Sequence, residues 1–242
     1  MSHIHIPDGI LPMWLLLLGW LITSFILFLC IKRVRKEDVA LKLPYIGIVS
    51  AMMIVAMMLE IVPIGYHFNL SVIAGIILGP AMAFISVFIV DLIIAMFGHG
   101  GITVIGLNTL VIGTEAVAGY YLFHSLLGVF KNVSNSHAVS ASLATVCSLV
   151  LSCGLMIGFV CASNLDPSAE KIEKINKQNV FLKEAGLDNH KGHEHSHAID
   201  AYRFSKMVVP LSIIGWILEA LITGFVIKYI HRIRSPLILK GS

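Results

Sequence analysis

Charged residues are scarce in this chain. Only 13% of its 242 residues are Asp, Glu, Lys or Arg, whereas 57% are hydrophobic, and the mean hydropathy is +0.88. Soluble domains carry about 25% charged residues, so this composition excludes an ordinary water-soluble globule. The chain is predicted to be an integral membrane protein.

The chain also lacks motifs that would assign it to other functional classes. It has no GxxxxGK[ST] phosphate loop, so any active transport must draw energy from other subunits or from an ion gradient. Its four cysteines form no CxxC pair and all fall in apolar segments, where they behave as small hydrophobes. No basic stretch opens the chain, so we expect no cleaved signal peptide. The small net charge of +3 argues against nucleic acid as a partner.

Long apolar runs are abundant. Each contains about 20 residues, the length of helix that crosses roughly 30 Å of hydrocarbon. The runs are Leu11–Ile31, Leu43–Val62, Leu70–Phe97, Ile102–His124, Ala138–Cys161 and Met207–Ile230.

Basic residues predict the orientation of these runs. A basic cluster at residues 32–36 follows the first run, and Lys228, Arg232 and Arg234 follow the last. By the positive-inside rule both of these ends are cytoplasmic, which requires an odd number of crossings. Since six runs are present, Leu70–Phe97 must divide at Gly79-Pro80, where proline ends a helix. We expect a short helix near Asn69–Leu78 and a second near Ala81–Phe97.

The predicted fold is therefore an all-α membrane protein with about seven transmembrane helices, one of them short. Its N-terminus is expected outside and its C-terminus in the cytoplasm, in the cell inner (plasma) membrane. Residues 1–242 are interpreted as one membrane domain with an N-terminal metal-binding segment, 1–10, and a His-rich outer loop, 163–205. This topology places His124, His137 and His231 inside. The eight histidines expected at the outer face are His3, His5, His67, His99, His190, His193, His195 and His197.

The N-terminus offers nitrogen ligands for a metal ion. Intact Met1-Ser2-His3 would supply four nitrogens, from the amine, backbone amides and imidazole, and processed Ser2-His3 would supply three. Such in-plane sets suit Ni(II) or Cu(II) better than tetrahedral zinc, and His5 or His67 could fill a remaining position. The alternative is a solvated terminus with no ligand role.

Three stretches resemble one transporter family. Residues 4–12, IHIPDGILP, resemble the opening MH-[IM]-[PE]-[DE]-G-[FI]-L-P of the cobalt- and nickel-specific substrate-binding membrane subunits (S components) of energy-coupling-factor transporters, the CbiM/NikM family. Residues 63–80, PIGYHFNLSVIAGIILGP, resemble its second motif, and residues 97–108, FGHGGITVIGLN, resemble its FGDGGLTALGAN loop. The three motifs occur in the family's order across about a hundred residues.

The resemblance implies a set of metal ligands. In the family the metal is held by the amine of the first residue, by the backbone nitrogen and side chain of the next histidine, and by the histidine of the second motif. The two histidines correspond to His5 and His67. This sequence departs at the first ligand, because Ile4 occupies the initiator position. Either His3 joins His5 and His67 as a further ligand, or removal of Met1 lets Ser2-His3 recreate the chelate, or translation or processing starts later than written.

Other polar residues near these motifs are candidates for supporting roles. His99 stands where the family has aspartate; its imidazole can join or gate the site, or else support a ligand from behind or lie at the surface. Asn108 matches the family's asparagine; its amide can orient a ligand or cap the loop. Glu60 precedes His67 and is a candidate partner for it. The segment HKGHEHSH, with His190, His193, His195 and His197, is expected to scavenge metal weakly near the entrance, or to be merely solvated.

The resemblance implies the function as well. The chain would be a non-enzymatic subunit of an ATP-driven importer, with Ni(II) or Co(II) as transported substrate and no organic cofactor. Its partners would be the lipid bilayer, a transmembrane coupling subunit, a pair of cytoplasmic ATPases and often a small accessory membrane subunit. Two alternatives stay open: a membrane metalloenzyme with Glu60 as general base, and a proton-driven carrier with Asp91, Glu115 or Glu219 as relay.

Overall fold

A computed structural model of the chain describes residues 11–34, 36–58, 60–61, 66–98, 101–163 and 201–233. For 36–42, 60–61, 66–67 and 201–212 only the backbone is described. Within these ranges the backbone forms seven helices and one two-stranded antiparallel ladder. The elements are α1 (Met13–Arg33), α2 (Lys36–Met58), β1 (Glu60–Ile61), β2 (Tyr66–His67), α3 (Ser71–Leu78), α4 (Pro80–Met96), α5 (Ile105–Val129), α6 (Ser136–Ser163) and α7 (Ala201–Ile233).

In the described part of the chain, four helices are long and apolar enough to cross a membrane, namely Met13–Arg33, Ile105–Val129, Ser136–Ser163 and the Ile213–Ile233 part of α7. Two shorter apolar helices, Leu43–Met58 and Pro80–Met96, accompany them. The surface of α1 is strongly apolar, with Leu21 71% and Phe25 62% exposed. A soluble monomer does not leave such a face in water. The chain is thus a multi-pass helical membrane protein.

The apolar run that starts at Leu70 is divided as the sequence predicts. Helix α3 ends at Leu78 and α4 begins at Pro80. Gly79 has φ +83° and ψ +163°, a conformation that glycine adopts without steric cost, and Pro80 occupies the first turn of α4, where its missing N–H is not needed. The expected pair of helices, Asn69–Leu78 and Ala81–Phe97, is therefore confirmed to within two residues at each end.

The second apolar run ends differently from its prediction. Leu43–Val62 was expected to form one span, but α2 stops at Met58 and Glu60 lies in β1. Pro63 follows closely in the sequence, and proline disfavours helical geometry in the residue before it. Glu60 is thus not a residue of a membrane-spanning helix.

Helix α5 is the centre of the bundle and packs against α1, α3, α4 and α6. Small residues allow these close approaches. A Cβ added at Gly106 would lie 2.7 Å from the backbone nitrogen of Trp20 on α1, and one added at Gly75 would overlap the carbonyl oxygen of Ala116. The short helix α3 is thereby held backbone-to-backbone against α5, which satisfies the requirement that so short a segment be covered by protein.

Candidate metal site and its buried anchor

A hairpin ladder brings two residues of the expected site to opposed positions. Strands β1 and β2 pair antiparallel, with Glu60 opposite His67 and Ile61 opposite Tyr66. Directly opposed residues are nearest neighbours across the backbone ladder of an antiparallel pair. Glu60 is therefore a spatial neighbour of His67 across the ladder, as the expected partner role requires.

Asn69, two residues after His67, connects this ladder to α3. Its side chain is buried, with 4% exposed. The Oδ1 atom accepts a hydrogen bond of 2.6 Å from the backbone N–H of Ser71, the first residue of α3. Because the first N–H groups of a helix have no partner within it, this bond closes the turn around Leu70, whose φ is +54°. Asn69 therefore fixes the path of the chain between His67 and α3.

Glu115 of α5 anchors that turn. Its carboxylate is 1% exposed and accepts three hydrogen bonds: from Asn69 Nδ2 at 3.1 Å, from Ser71 Oγ at 2.5 Å and from Ser152 Oγ of α6 at 2.9 Å. An ionisable group is costly in a membrane interior unless it is partnered. These three donors supply partners to both carboxylate oxygens and join the His67 segment to α3, α5 and α6.

The sequence identified Glu115 only as a proton-relay candidate and missed this anchoring arrangement. Its three partners come from segments 37 to 46 residues away in the chain, so no local spacing could reveal them. The one available signal was an ionisable residue inside an apolar run, together with the N-L-S sequence after His67.

A second buried carboxylate lies between α4 and α5. Asp91 Oδ2 accepts a 2.9 Å hydrogen bond from Thr109 Oγ1, and both residues are buried. Asn108, the neighbour of Thr109, is 2% exposed, and its backbone N–H donates to the carbonyl of Val104 at 2.9 Å. Asn108 is thus an interior residue of the first turn of α5.

Most of the remaining predicted site residues fall outside the described part of the chain. These are Met1, Ser2, His3, His5, His99, His190, His193, His195 and His197, and at Glu60 and His67 the description stops at the backbone. Among the described side chains, no group of three His, Cys, Asp or Glu residues is arranged to hold a metal ion. The expected ligand set therefore stays a prediction.

Comparison with known proteins identifies the family. Residues 5–237 match the family described as "Cobalt uptake substrate-specific transmembrane region". A protein of Haloquadratum walsbyi named as a candidate metal transport protein is 33% identical over 160 residues, 64% of this chain and 72% of that protein. One of Haemophilus influenzae with the same description is 32% identical over 128 residues, 51% of this chain and 59% of that protein.

Two solved structures share the fold. A crystal structure of a transition metal transporter has a TM-score of 0.69 and 21% identity, covering 95% of this chain and 93% of that one. A truncated transition metal transporter has a TM-score of 0.68 and 20% identity, covering 96% and 100%. With a family match over nearly its whole length, the chain belongs to the cobalt-uptake substrate-specific transmembrane family, as the three sequence motifs predicted, and is a membrane protein of transition-metal uptake.

Proposed function

We propose that this protein is the substrate-binding membrane subunit of an ATP-driven importer, which captures Ni(II) or Co(II) at the outer face. The observation that carries the proposal is the anchored hairpin. His67 stands opposite Glu60 in the ladder, and two residues later Asn69 is tied to the buried Glu115. A metal ligand must be held in place by the groups behind it, and this arrangement provides such support.

The proposed orientation places the N-terminus outside and the C-terminus in the cytoplasm of the inner (plasma) membrane. Basic residues support it: Lys32 and Arg33 occupy the last turn of α1, Arg232 lies in the last turn of α7, and Lys131 lies in the turn between α5 and α6. The hairpin then faces outward. Glu115, ten residues into α5, lies about 15 Å along the helix from its outer end.

Nitrogen ligands define the proposed metal chemistry. His5 and His67 are the principal ligands, and the amine and amide nitrogens of Met1 and Ser2, with the imidazole of His3, complete the set. Neutral imidazole and deprotonated nitrogen displace water from the ion and release protons as it binds. Planar nitrogen coordination favours nickel, and cobalt follows closely because the two ions are neighbours in affinity.

Residues around this set have supporting roles in the proposal. Glu60 accepts a proton or a hydrogen bond from His67, and His99 and Asn108 orient the metal ligands. The loop histidines raise the local metal concentration at the entrance. They are His190, His193, His195 and His197.

The energy for release comes from partners. The chain contains no GxxxxGK[ST] phosphate loop, so a transmembrane coupling subunit and a pair of cytoplasmic ATPases are proposed to drive reorientation, with a small accessory membrane subunit in some assemblies. Family membership supports a role in uptake. It equally argues against the metalloenzyme alternative, since the family is defined by transport.

Reconstituted transport tests the proposal. Vesicles containing this protein, its coupling subunit and its ATPases are loaded with ATP, and entry of radioactive nickel or cobalt is followed with and without a protonophore. We expect uptake that requires ATP, resists the protonophore and is lost in His67→Ala. Uptake without ATP that collapses with the proton gradient would instead establish a secondary carrier.

A further inference from the structure

A pair of histidines lies at the end of the bundle where α6 begins and α7 ends. His137 is in the first turn of α6 and His231 in the last turn of α7. Their imidazole rings stack with centroids 3.6 Å apart and an angle of 17° between planes. The ring of the buried Phe123, on α5, lies 6.4 Å from that of His137. Two metal-ligating side chains from different helices are therefore in contact far from the hairpin in sequence.

The Nδ1 atoms of this pair are weakly engaged. His231 Nδ1 is buried and has no hydrogen-bond partner among the described residues. His137 Nδ1 lies 3.5 Å from Ser136 Oγ, at the long limit for a hydrogen bond. By contrast, Nδ1 of nearby His124 is 2.8 Å from the carbonyl oxygen of Tyr120. A buried imidazole nitrogen without a partner is unfavourable, and coordination of a metal ion would satisfy it.

The pair is separate from the proposed outer site. Ser152, which contacts Glu115, and His137 are both on α6, fifteen residues apart. At 1.5 Å per residue the two positions are about 22 Å apart along the helix. Since Glu115 anchors the His67 segment, the histidine pair lies towards the other end of the bundle.

Buried polar residues lie on α6 and α7 between these two levels. The helices run antiparallel in contact: His137 meets His231, and Ser142 Oγ, further along α6, donates a 2.8 Å hydrogen bond to the carbonyl of Ala220, which is earlier on α7. Ser140 and Thr145 of α6 and Thr223 of α7 are fully buried. Ser140 Oγ and Thr223 Oγ1 have no hydrogen-bond partner among the described residues. A buried hydroxyl without a partner is unfavourable inside a membrane bundle.

Basic residues lie at the same end of the bundle as the histidine pair. Lys131, Lys228 and Arg232 are at the same end and exposed. Their repulsion lowers the affinity of any cation nearby, although exposure and salt reduce the effect. A divalent ion at this position would be bound weakly. Weak binding is what an exit station requires, that is, a site from which a transported ion leaves the protein.

We infer that His137 and His231 form a second, low-affinity site for a divalent transition-metal ion, with water completing its coordination. Rotation of the two stacked rings about their Cβ–Cγ bonds brings one nitrogen of each to a common ion. Imidazole suits Ni(II) and Co(II). The role of this site as the exit station rests on the proposed function and its orientation, whereas the binding itself does not.

Cobalt titration tests the inference on the full-length protein in detergent, with the four loop histidines replaced by Asn to remove their background. Equilibrium dialysis and the visible absorption of Co(II) report each class of site. We expect two classes, one ion each, and loss of the weaker class in the double variant His137→Gln/His231→Gln. His231→Phe, which keeps a ring in the stack but has no nitrogen, should show the same loss, and His124→Gln should keep both classes.

The outcomes separate the two proposals. Survival of the weaker class in the double variant and in His231→Phe, or its absence from the parent protein, would overturn the inference. His67→Ala should abolish only the tight class. Should the tight class survive that substitution, the proposed outer site is wrong while the histidine pair is unaffected. Thermal unfolding of each variant identifies any loss caused by misfolding.

Discussion

Removal of the Glu115 carboxylate is expected to weaken both the bundle and its metal site. In Glu115→Ala, Asn69 Nδ2 and Ser71 Oγ lose their acceptor, whereas Ser152 Oγ keeps its 3.1 Å hydrogen bond to the carbonyl of Leu149. Solvent does not replace the lost acceptor, since Glu115 is 1% exposed. Of the side-chain hydrogen bonds described at the turn after His67, the bond from the Ser71 N–H to Asn69 Oδ1 would remain.

The size of the effect follows from the number of hydrogen bonds lost. Side-chain hydrogen bonds in membrane proteins contribute about 0.6 kcal/mol on average, and a buried group left without a partner costs about 1–3 kcal/mol. The two donors left without an acceptor, Asn69 Nδ2 and Ser71 Oγ, therefore predict a loss of about 2–6 kcal/mol in the free energy of unfolding. Weakened support of a metal ligand typically lowers metal affinity about 10–100-fold, which we expect for nickel.

Two assays measure these quantities, namely thermal unfolding in detergent and calorimetric titration with Ni(II). Ser152→Ala removes one of the three donors and should show a smaller loss in both. Ser148→Ala is the matched control, because Ser148 is equally buried on the same helix but donates only to the carbonyl of Ala144. If Glu115→Ala unfolds and binds nickel like the Ser148→Ala control, the anchoring role is refuted.

Two further substitutions test the packing that positions the site. Gly75→Ala should destabilise the protein by about 1–3 kcal/mol or prevent its folding, because the added Cβ meets the Ala116 carbonyl and overpacking strains both helices. The control Gly154→Ala, with open space around it, should leave the stability unchanged or raise it by up to about 1 kcal/mol. Equal unfolding temperatures for the two variants would contradict the close contact at Gly75. Thr23→Val removes the 2.6 Å hydrogen bond from Thr23 Oγ1 to the carbonyl of Gly106 and should lower the free energy of unfolding by about 0.5–1.5 kcal/mol, as measured by chemical denaturation. An unchanged free energy of unfolding would show that the packing of α1 does not depend on this bond.

The fold could largely be predicted because two of its determinants can be read from local sequence. The thickness of the hydrocarbon sets the length of an apolar run, and proline limits where a helix can continue. The division at Gly79-Pro80 is an example, since both residues impose their geometry on the backbone wherever they occur. Boundaries were less predictable: α7 begins at Ala201, six residues before the apolar run that starts at Met207. An apolar run in the sequence marks the residues that lie in the hydrocarbon of the membrane. The helix itself can extend beyond that run, because its backbone hydrogen bonds do not require apolar side chains.

The site was only partly predictable. The motif histidine His67 and its neighbour Glu60 could be named from the sequence, and the ladder places them opposite each other. The Glu115 anchor and the contact between His137 and His231 depend on distant segments that meet only in the folded chain. The predicted ligands at the N-terminus lie outside the described residues, so their roles stay predictions.

Calorimetric titration of the purified protein with Ni(II), Co(II) and Zn(II) tests the central claim most directly, beside His67→Ala and a variant lacking His190–His197. We predict tight binding of one nickel or cobalt ion, lost in His67→Ala and retained without the loop. Tight binding that survives His67→Ala, or that disappears only with the loop, would contradict the proposed outer site.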